Sequence, residues 1–274
     1  RPTRELEILL SIGEEKHVKG AKVFDFQKYR QEKSIVLDMS GEIGTAAVQA
    51  PSQIAFTVKV RGKASHAGFA PQDGVHAIRI AATAIAEMAI GRIGDDTTVN
   101  VGHIEGGRAS NIVPDYCEVS GELRSFSHKK CAGRTCEGGA DFSRKEAEKC
   151  GGSIEFIRDI CYQAYKTDEN ESVVKEFQKA CTACGIKSSL IATFGGSDQN
   201  KMSEHGIPGH RHGIGDASGT FLPGIYRSVR NGTGGRDRQR TAANERVKLN
   251  ILNILISPLY LQGTYIILRV YGKY

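Results

Sequence analysis

Two adjacent carboxylates, Glu14 and Glu15, follow an apolar run in the stretch "LLSIGEEKHVKGAKVFD". Consecutive residues in an extended or turning segment point in different directions, so one carboxylate can bind a metal ion while the next reaches past it. A carboxylate beside a reacting water can take its proton and deliver it to a leaving group. A metal ion would also offset the repulsion between the two charges. Taken alone, however, so short a motif more often marks a solvated surface pair.

Four further residues have the chemistry of a hydrolytic site, and each also has a structural interpretation. Asp38 lies near the end of the apolar run "SIVLDM". Its carboxylate is a hard anionic ligand that suits zinc, but the residue could instead begin a turn. His66 in "SHAG" follows a strand and would usually be a loop histidine. Asn111 in "SNIVPD" can cap a turn. Arg124 in "GELRS" can pair with a glutamate on its own strand, although a surface pair of this kind adds little stability.

The middle of the chain predicts one compact α+β domain. "IAFTVKV", Ile54 to Val60, alternates apolar and polar residues as a half-buried strand does. A helix over Gly74 to Met88 follows, and then strands at "TTVNVGHIEGG", "DYCEVSGELRSF" and "SIEFIRDICY". The predicted apolar face of the helix carries Val75, Ile78, Ala82, Ile85 and Met88 or Ala89. With a second helix before the last strand, this order predicts a ferredoxin-like domain over residues 53–162.

The flanking segments predict a second domain that is interrupted by the first one. Residues 1–52 and 163–215 would form it, and 5–12 and 34–39 are predicted strands. Residues 216–274 show no coherent pattern and stay unassigned. The second helix of the ferredoxin-like domain is predicted poorly, because glycines interrupt residues 131–141 and each interior glycine costs about 1 kcal/mol relative to alanine.

Composition indicates an ordinary globular protein rather than a nucleic-acid or membrane protein. The chain has 274 residues, 39% of them hydrophobic and 25% charged, with a net charge of +6. The basic run "GGRDRQR" lacks the interleaved aromatic residues of a nucleic-acid surface, and we interpret it as a solvated loop. No run approaches the length of a membrane span. Seven irregularly spaced cysteines, including the CxxC of Cys181 and Cys184, predict free thiols and a cytoplasmic location.

Five motifs in fixed order carry a resemblance to a known family. They are "IGEEKHVKGAKVFD", "VLDMSGEIG", "VRGKASHAGFAPQDGVHAI", "EGGRASNIVPDYCEVSGELRS" and "FGGSDQNKMSEHGIP". Together they resemble the peptidase T-like branch of the dinuclear zinc peptidases, a superfamily that includes succinyl-diaminopimelate desuccinylase and the glutamate carboxypeptidases. The resemblance implies an α/β fold, in which a partial zinc-peptidase catalytic domain carries an inserted α+β ferredoxin-like lid that often dimerises.

The resemblance also implies a role for each matching residue. Glu14 matches the general base, while Glu15 and Asp38 match zinc ligands. His66 matches the lid histidine that stabilises the tetrahedral oxyanion, often in the neighbouring subunit's site. The positions that match substrate-binding groups are Asn111, Arg124, Gly196 and Ser197.

The family pattern requires five metal-binding side chains and two zinc ions, and this chain shows only part of that set. The first histidine and the bridging aspartate are expected upstream of Glu14, and the last histidine is not found at its expected place after "GIP". We therefore expect an incomplete zinc site. The first hypothesis is a zinc-dependent exopeptidase, an aminopeptidase or tripeptidase that cleaves short peptides and forms a homodimer through its lid. The alternatives are an inactive remnant that keeps the dimerising lid, and a deacylase of the desuccinylase type.

Overall fold

The computed structural model describes residues 7–11, 17–28, 31–133, 145, 147–213 and 264–269. Its strands are β1 (Glu7–Ser11), β2 (Lys33–Met39), β3 (Thr45–Ala50), β4 (Ser52–Arg61), β5 (Ser65–His66), β6 (Gly91–Ile93), β7 (Thr97–Gly106), β8 (Ile112–Val113), β9 (Tyr116–Ser125), β10 (Ser153–Tyr162), β11 (Tyr165–Lys166), β12 (Ser189–Ala192), β13 (Gly209–Gly213) and β14 (Thr264–Arg269). Its helices include Lys19–Val23, Ala77–Glu87, His128–Gly133, Ser172–Ala183 and Asp198–Glu204, with short 3-10 turns at Phe26–Lys28 and Pro71–Asp73.

Contacts divide the chain into two units. Pro51–Ala164 form one of them, which we call the inserted unit. Arg1–Ala50 and Tyr165–Tyr274 form the other, which we call the discontinuous unit.

The discontinuous unit is built on a seven-stranded sheet in the order β1-β14-β2-β13-β3-β11, with β12 also paired to β3. β1, β14, β2 and β13 run parallel to one another, while β13 pairs with β3 in the antiparallel sense. Every residue of β2 is buried. That burial suits its "SIVL" run, because strands of a parallel sheet are covered on both faces.

Helices cover both faces of this sheet. Phe177 and its helix, Ser172–Ala183, pack on Ile35 and Leu37 of β2. Met202, from the helix Asp198–Glu204, packs on Val36 of the opposite face. The alternation of β2 side chains between these two helices directs Asp38 to the same face as Val36.

Gly209 lets β13 lie against β2. A Cβ at this position would lie 2.3 Å from the Ser34 carbonyl oxygen and 2.4 Å from the Gln199 side-chain oxygen. Such contacts are too short for any side chain, so residue 209 must be glycine for the sheet and the helix Asp198–Glu204 to meet here.

The tail, which the sequence left unassigned, contributes one strand. Residues 264–269, "TYIILR", form β14 between β1 and β2. The run is rich in β-branched and aromatic residues, as strands are. The basic run at 234–240 lies outside the described residues.

The inserted unit has the predicted ferredoxin-like topology. Its antiparallel sheet has the order β10-β4-β9-β7-β6. The four long strands follow the chain as β4, β7, β9 and β10, so the sheet order is fourth, first, third, second, with the short β6 added at one edge. The predicted fold class, an α/β catalytic domain with an inserted α+β lid, is therefore confirmed.

The sequence pattern correctly predicts the buried faces of the sheet and predicts that of the helix in part, since Val75, Ile78, Ile85 and Met88 pack against the core as half-buried residues. Cys117, Val119 and Leu123 of β9 are buried, and Phe56 of β4 lies in the same core. In Ala77–Glu87 the buried residues are Ala77, Ile80, Ala81 and Ala84, while the predicted Ala82 is exposed. The prediction placed the larger side chains at the centre of the face. Small alanines occupy that centre instead, because they let the helix approach the sheet closely.

The poorly predicted second helix falls partly outside the described residues. A short helix, His128–Gly133, precedes the gap, and residues 145 and 147–149 are helical beyond it. Cys131 and Ala147, one on each side of the gap, are fully buried in the core of the inserted unit. None of the helices in the described part of the chain is long and apolar enough to cross a membrane.

Candidate active site

In the discontinuous unit, polar side chains gather where parallel strands end. Ser11 is the last residue of β1, and Asp38 lies one residue before the end of β2. The carboxyl ends of parallel strands meet at one edge of a sheet, which is where α/β proteins bind ligands. Both side chains are buried: Ser11 and Asp38 are each 7% exposed. A buried carboxylate needs a charged or hydrogen-bonding partner, and its neighbours therefore decide what it can do.

The partner of Asp38 is Arg211, in the middle of β13. The Arg211 Nη2 lies 3.6 Å from the Asp38 Oδ2 and also donates a hydrogen bond to the Asp38 carbonyl oxygen. The Arg211 Nη1 donates a 2.9 Å hydrogen bond to the Gly195 carbonyl oxygen. Arg211 is only 8% exposed. One buried guanidinium thus joins the end of β2 to the loop that contains Gly195.

That loop leads into the helix Asp198–Glu204 through a complete capping box. The Ser197 hydroxyl accepts a hydrogen bond from the Gln199 amide, and the Asn200 side chain accepts one from the Ser197 amide. Ser197 is fully buried, so the structure gives it a structural role beside the substrate contact that the resemblance implies. Gly196 directly precedes it. The Ser11 hydroxyl donates a short hydrogen bond to the buried Asp198 carboxylate, which joins the end of β1 to the same helix.

Two histidines flank Arg211 and face the opposite side of the sheet. His210 and His212 are fully buried, and their rings each lie 5.0 Å from the Phe177 ring. Burial lowers the pKa of His210 to about 3, and the neighbouring His212 adds to the shift. Burial lowers the pKa of His212 to about 4, and the Thr45 backbone opposes this shift. Both rings are therefore neutral core residues near pH 7.

In the inserted unit, His66 is the exposed last residue of the short strand β5, and its ring has a defined orientation. Its Nδ1 accepts hydrogen bonds from the Gly68 amide at 3.1 Å and the Phe69 amide at 3.2 Å. Because Nδ1 is an acceptor, the neutral ring carries its proton on Nε2. The Phe69 ring packs on the imidazole, with 4.4 Å between centroids. The Ala67 amide donates to the Asn111 carbonyl oxygen, and β5 pairs with β8, so His66 and Asn111 are brought together.

Arg124 belongs to a separate polar cluster on β9 of the five-stranded sheet. Its Nε donates to Glu122 at 2.8 Å and its Nη2 donates to the other oxygen at 3.2 Å. Gln53 donates to the same carboxylate. Burial lowers the pKa of Arg124, but Glu122 outweighs that effect and the net shift is upward. Arg124 thus pairs with a glutamate of its own strand, and its predicted contact with substrate stays a prediction.

Comparisons with known proteins agree with this architecture. Residues 51–131 match the family described as "Peptidase dimerisation domain". "Uncharacterized protein YqjE" of Bacillus subtilis is 36% identical over 203 residues, which are 74% of this chain and 54% of that protein. The chain therefore spans about half the length of this relative.

Comparison with solved structures also finds peptidases. Aminopeptidase PepT from Bacillus cereus is 29% identical with a TM-score of 0.74, over 92% of this chain and 62% of that one. A tripeptidase from Staphylococcus aureus is 28% identical with a TM-score of 0.75, over 91% of this chain and 63% of that one. The chain is thus similar over most of its length to peptidase T-like proteins. A dinuclear metal-binding peptidase of the M20 family from Bacillus subtilis shares the fold at 17% identity (TM-score 0.59, 91% of this chain, 64% of that one).

The described part of this peptidase T-like chain does not fit a dinuclear metal site. Among the described residues, no group of three or more His, Cys, Asp or Glu side chains converges as metal ligands would. Glu14 and Glu15 lie outside the described residues, so their roles stay predictions. Asp38 is a suitable ligand by chemistry and by its place at a strand end, but a cation already lies against it.

Sequence reasoning missed Arg211 and Asp198. Asp198 lies within the motif "FGGSDQNKMSEHGIP" but was given no role of its own, and "GHRHG" around Arg211 shows no alternation of apolar and polar residues. One signal was present: a charged residue within a buried parallel strand requires a buried partner.

Proposed function

We propose that the chain is part of a zinc-dependent exopeptidase that resembles peptidase T and hydrolyses short peptides. The observation that carries this proposal is the likeness, over 92% and 91% of the chain, to an aminopeptidase and a tripeptidase. The "Peptidase dimerisation domain" match over residues 51–131 supports the same reaction class and a homodimer formed through the inserted unit. Six described cysteines are free, which fits the proposed cytoplasmic location.

The proposed roles follow the chemistry of each side chain. Glu14 takes a proton from the attacking water and delivers it to the leaving amine. Glu15 and Asp38 are the proposed zinc ligands, and zinc would supply the polarisation that makes water a nucleophile near neutral pH. His66 donates a hydrogen bond from its Nε2–H to the oxyanion that forms on the peptide carbonyl. Asn111, Arg124, Gly196 and Ser197 are the proposed contacts to the substrate.

A second candidate is favoured by one observation, the ion pair between Asp38 and Arg211. If that pair persists, the chain is an inactive remnant that keeps the dimerising lid. The two candidates differ in metal content and in peptide hydrolysis, and agree on the dimer.

Hydrolysis of an unmodified tripeptide, with zinc added in steps, tests the proposal. We expect activity that rises with zinc and falls by roughly 100-fold or more in Glu14→Gln, because a positioned general base contributes that much. A matched series of N-acyl amino acids separates peptidase from deacylase. Tripeptide hydrolysis that is equal in the parent and in Glu14→Gln would contradict the assignment. Light scattering after gel filtration tests the dimer.

A further inference from the structure

We propose that Arg211 is an internal cation that occupies the Asp38 carboxylate and weakens metal binding there. The inference rests on the proposed function, because Asp38 is taken as a metal ligand. It adds to that function by identifying Arg211 as the residue that limits the metal affinity of the site. The inference is based on three contacts of the Arg211 guanidinium. It contacts the Asp38 carboxylate, the Asp38 carbonyl oxygen and the Gly195 carbonyl oxygen.

Burial makes this pair difficult to separate. Asp38 is 7% exposed and Arg211 is 8% exposed, so water solvates both charges poorly if the pair separates. Removing one partner of a buried ion pair leaves an uncompensated charge, which is strongly unfavourable. A metal ion that binds the Asp38 carboxylate must either share it with the guanidinium or displace the guanidinium. Sharing places two cations close together in a region of low dielectric constant.

The surroundings hold the guanidinium in place. Val36 pairs with Arg211 in the register between β2 and β13, so the arginine stem runs along the sheet toward Asp38, two residues further along β2. A Cβ at Gly195 would lie 3.0 Å from the Arg211 Nη1, so this glycine allows the loop to approach the guanidinium closely. The side chain is thus fixed at both ends and cannot leave Asp38 without breaking its hydrogen bond to Gly195.

An alternative explanation is that Arg211 only fastens the loop to β2. The two explanations differ in what the charge does. A fastening role depends on hydrogen bonds to two carbonyl oxygens, and a neutral amide can replace part of it. Competition with a metal depends on the positive charge, which a lysine keeps and a glutamine removes.

Zinc affinity of Arg211→Gln and Arg211→Lys in the full chain tests the inference. Both substitutions shorten the side chain and remove the guanidinium fork, but they differ in charge. Zinc binding is measured by competition with a chromophoric chelator, and unfolding midpoints by circular dichroism confirm that each variant is folded. We expect zinc to bind Arg211→Gln at least about tenfold more tightly than the parent, the size of effect that groups adjoining metal ligands commonly have. Arg211→Lys should bind zinc like the parent. Adding Asp38→Asn to Arg211→Gln should abolish the gain.

Each outcome decides the inference. Equal zinc affinity in the parent and Arg211→Gln overturns it, as does an equal gain in Arg211→Gln and Arg211→Lys, because the charge would then be irrelevant. If neither variant folds, Asp38→Asn in the parent decides: a loss of zinc affinity overturns the inference, because Arg211 would not then be keeping zinc from Asp38, and an unchanged zinc affinity supports it. Tripeptide hydrolysis on the same samples separates this from the proposed function. Hydrolysis without a gain in affinity overturns the inference alone, whereas a gain in affinity without hydrolysis in any variant contradicts the proposed function alone.

Discussion

Lowering the pH from 7 to 5 should destabilise the discontinuous unit, because His210 and His212 are buried as neutral rings. Their folded-state pKa values are about 3 and about 4, against 6.5 in the unfolded chain. Between these values and 6.5 the unfolded state binds more protons than the folded state, so stability falls as the pH falls. The stabilising contribution is fully present above pH 6.5 and is lost progressively below it.

The size of the effect follows from the two pKa differences. At pH 5 each histidine is 1.5 pH units below its unfolded pKa, which corresponds to about 2 kcal/mol, and the pair therefore costs about 4 kcal/mol. That is a large part of the roughly 5–15 kcal/mol that stabilises a typical domain. With a urea dependence of about 2 kcal/mol per molar, the unfolding midpoint should move by roughly 2 M.

Urea unfolding at pH 7, 6 and 5 measures this shift, and far-UV circular dichroism is the suitable signal because the chain has no tryptophan. The matched control is His210→Leu with His212→Leu, which keeps nearly the same volume beside Phe177 and removes both titrating groups. A second control is His103→Gln, since His103 is exposed. The double leucine variant should lose most of the pH dependence, and His103→Gln should keep it. Equal midpoint shifts in the parent and the double variant, or imidazole resonances of His210 and His212 that titrate near pH 6.5, would refute the reasoning.

Three other predictions concern single positions. Gly121→Ala should destabilise the inserted unit by about 1–3 kcal/mol, because a Cβ there would lie 2.1 Å from the Asn100 carbonyl oxygen and 2.5 Å from the Phe56 ring; Gly102→Ala, where a Cβ would meet nothing closer than 3.5 Å, is the control that should not lose stability in the same unfolding experiment. Ser197→Ala should cost about 1 kcal/mol by removing the helix cap, whereas Ser189→Ala, on an exposed strand residue, should not change the unfolding midpoint. Nitrogen-15 NMR of His66 should show a protonated Nε2 and an unprotonated Nδ1 at pH 8, and the opposite tautomer would contradict the hydrogen bonds from Gly68 and Phe69.

The predicted strands could be identified because the alternation of apolar and polar residues in their sequences indicates which face is buried. Ile54 to Val60 alternates apolar and polar residues, and the structure buries the apolar set against the helices of the inserted unit. The lid helix was predictable in position and partly in orientation, because four of its predicted apolar residues pack on the core. Alanine contributes little to a hydrophobic pattern, yet Ala77, Ala81 and Ala84 are buried beside Ile80 at the centre of the face.

The candidate site was less predictable than the fold, since its key contact joins residues far apart in the chain. Asp38 and Arg211 are 173 positions apart, and nothing local to either residue indicates the other. Ser11 and Asp198, 187 positions apart, present the same difficulty. Each contact joins a residue near the carboxyl end of a parallel strand to a distant element, Arg211 in β13 or Asp198 at the start of a helix, and this is a property of topology rather than of short motifs.

The electrostatics of Arg211 connect metal uptake to the position of the Gly195 loop. A cation bound to the Asp38 carboxylate would lie close to the Arg211 guanidinium, and like charges repel strongly where water is largely excluded. A cation at Asp38 is therefore favoured when Arg211 moves away. Because Arg211 Nη1 also donates a hydrogen bond to the Gly195 carbonyl oxygen, such a movement would loosen the loop that carries Gly196 and Ser197. We accordingly expect metal binding at Asp38 and the position of this loop to change together.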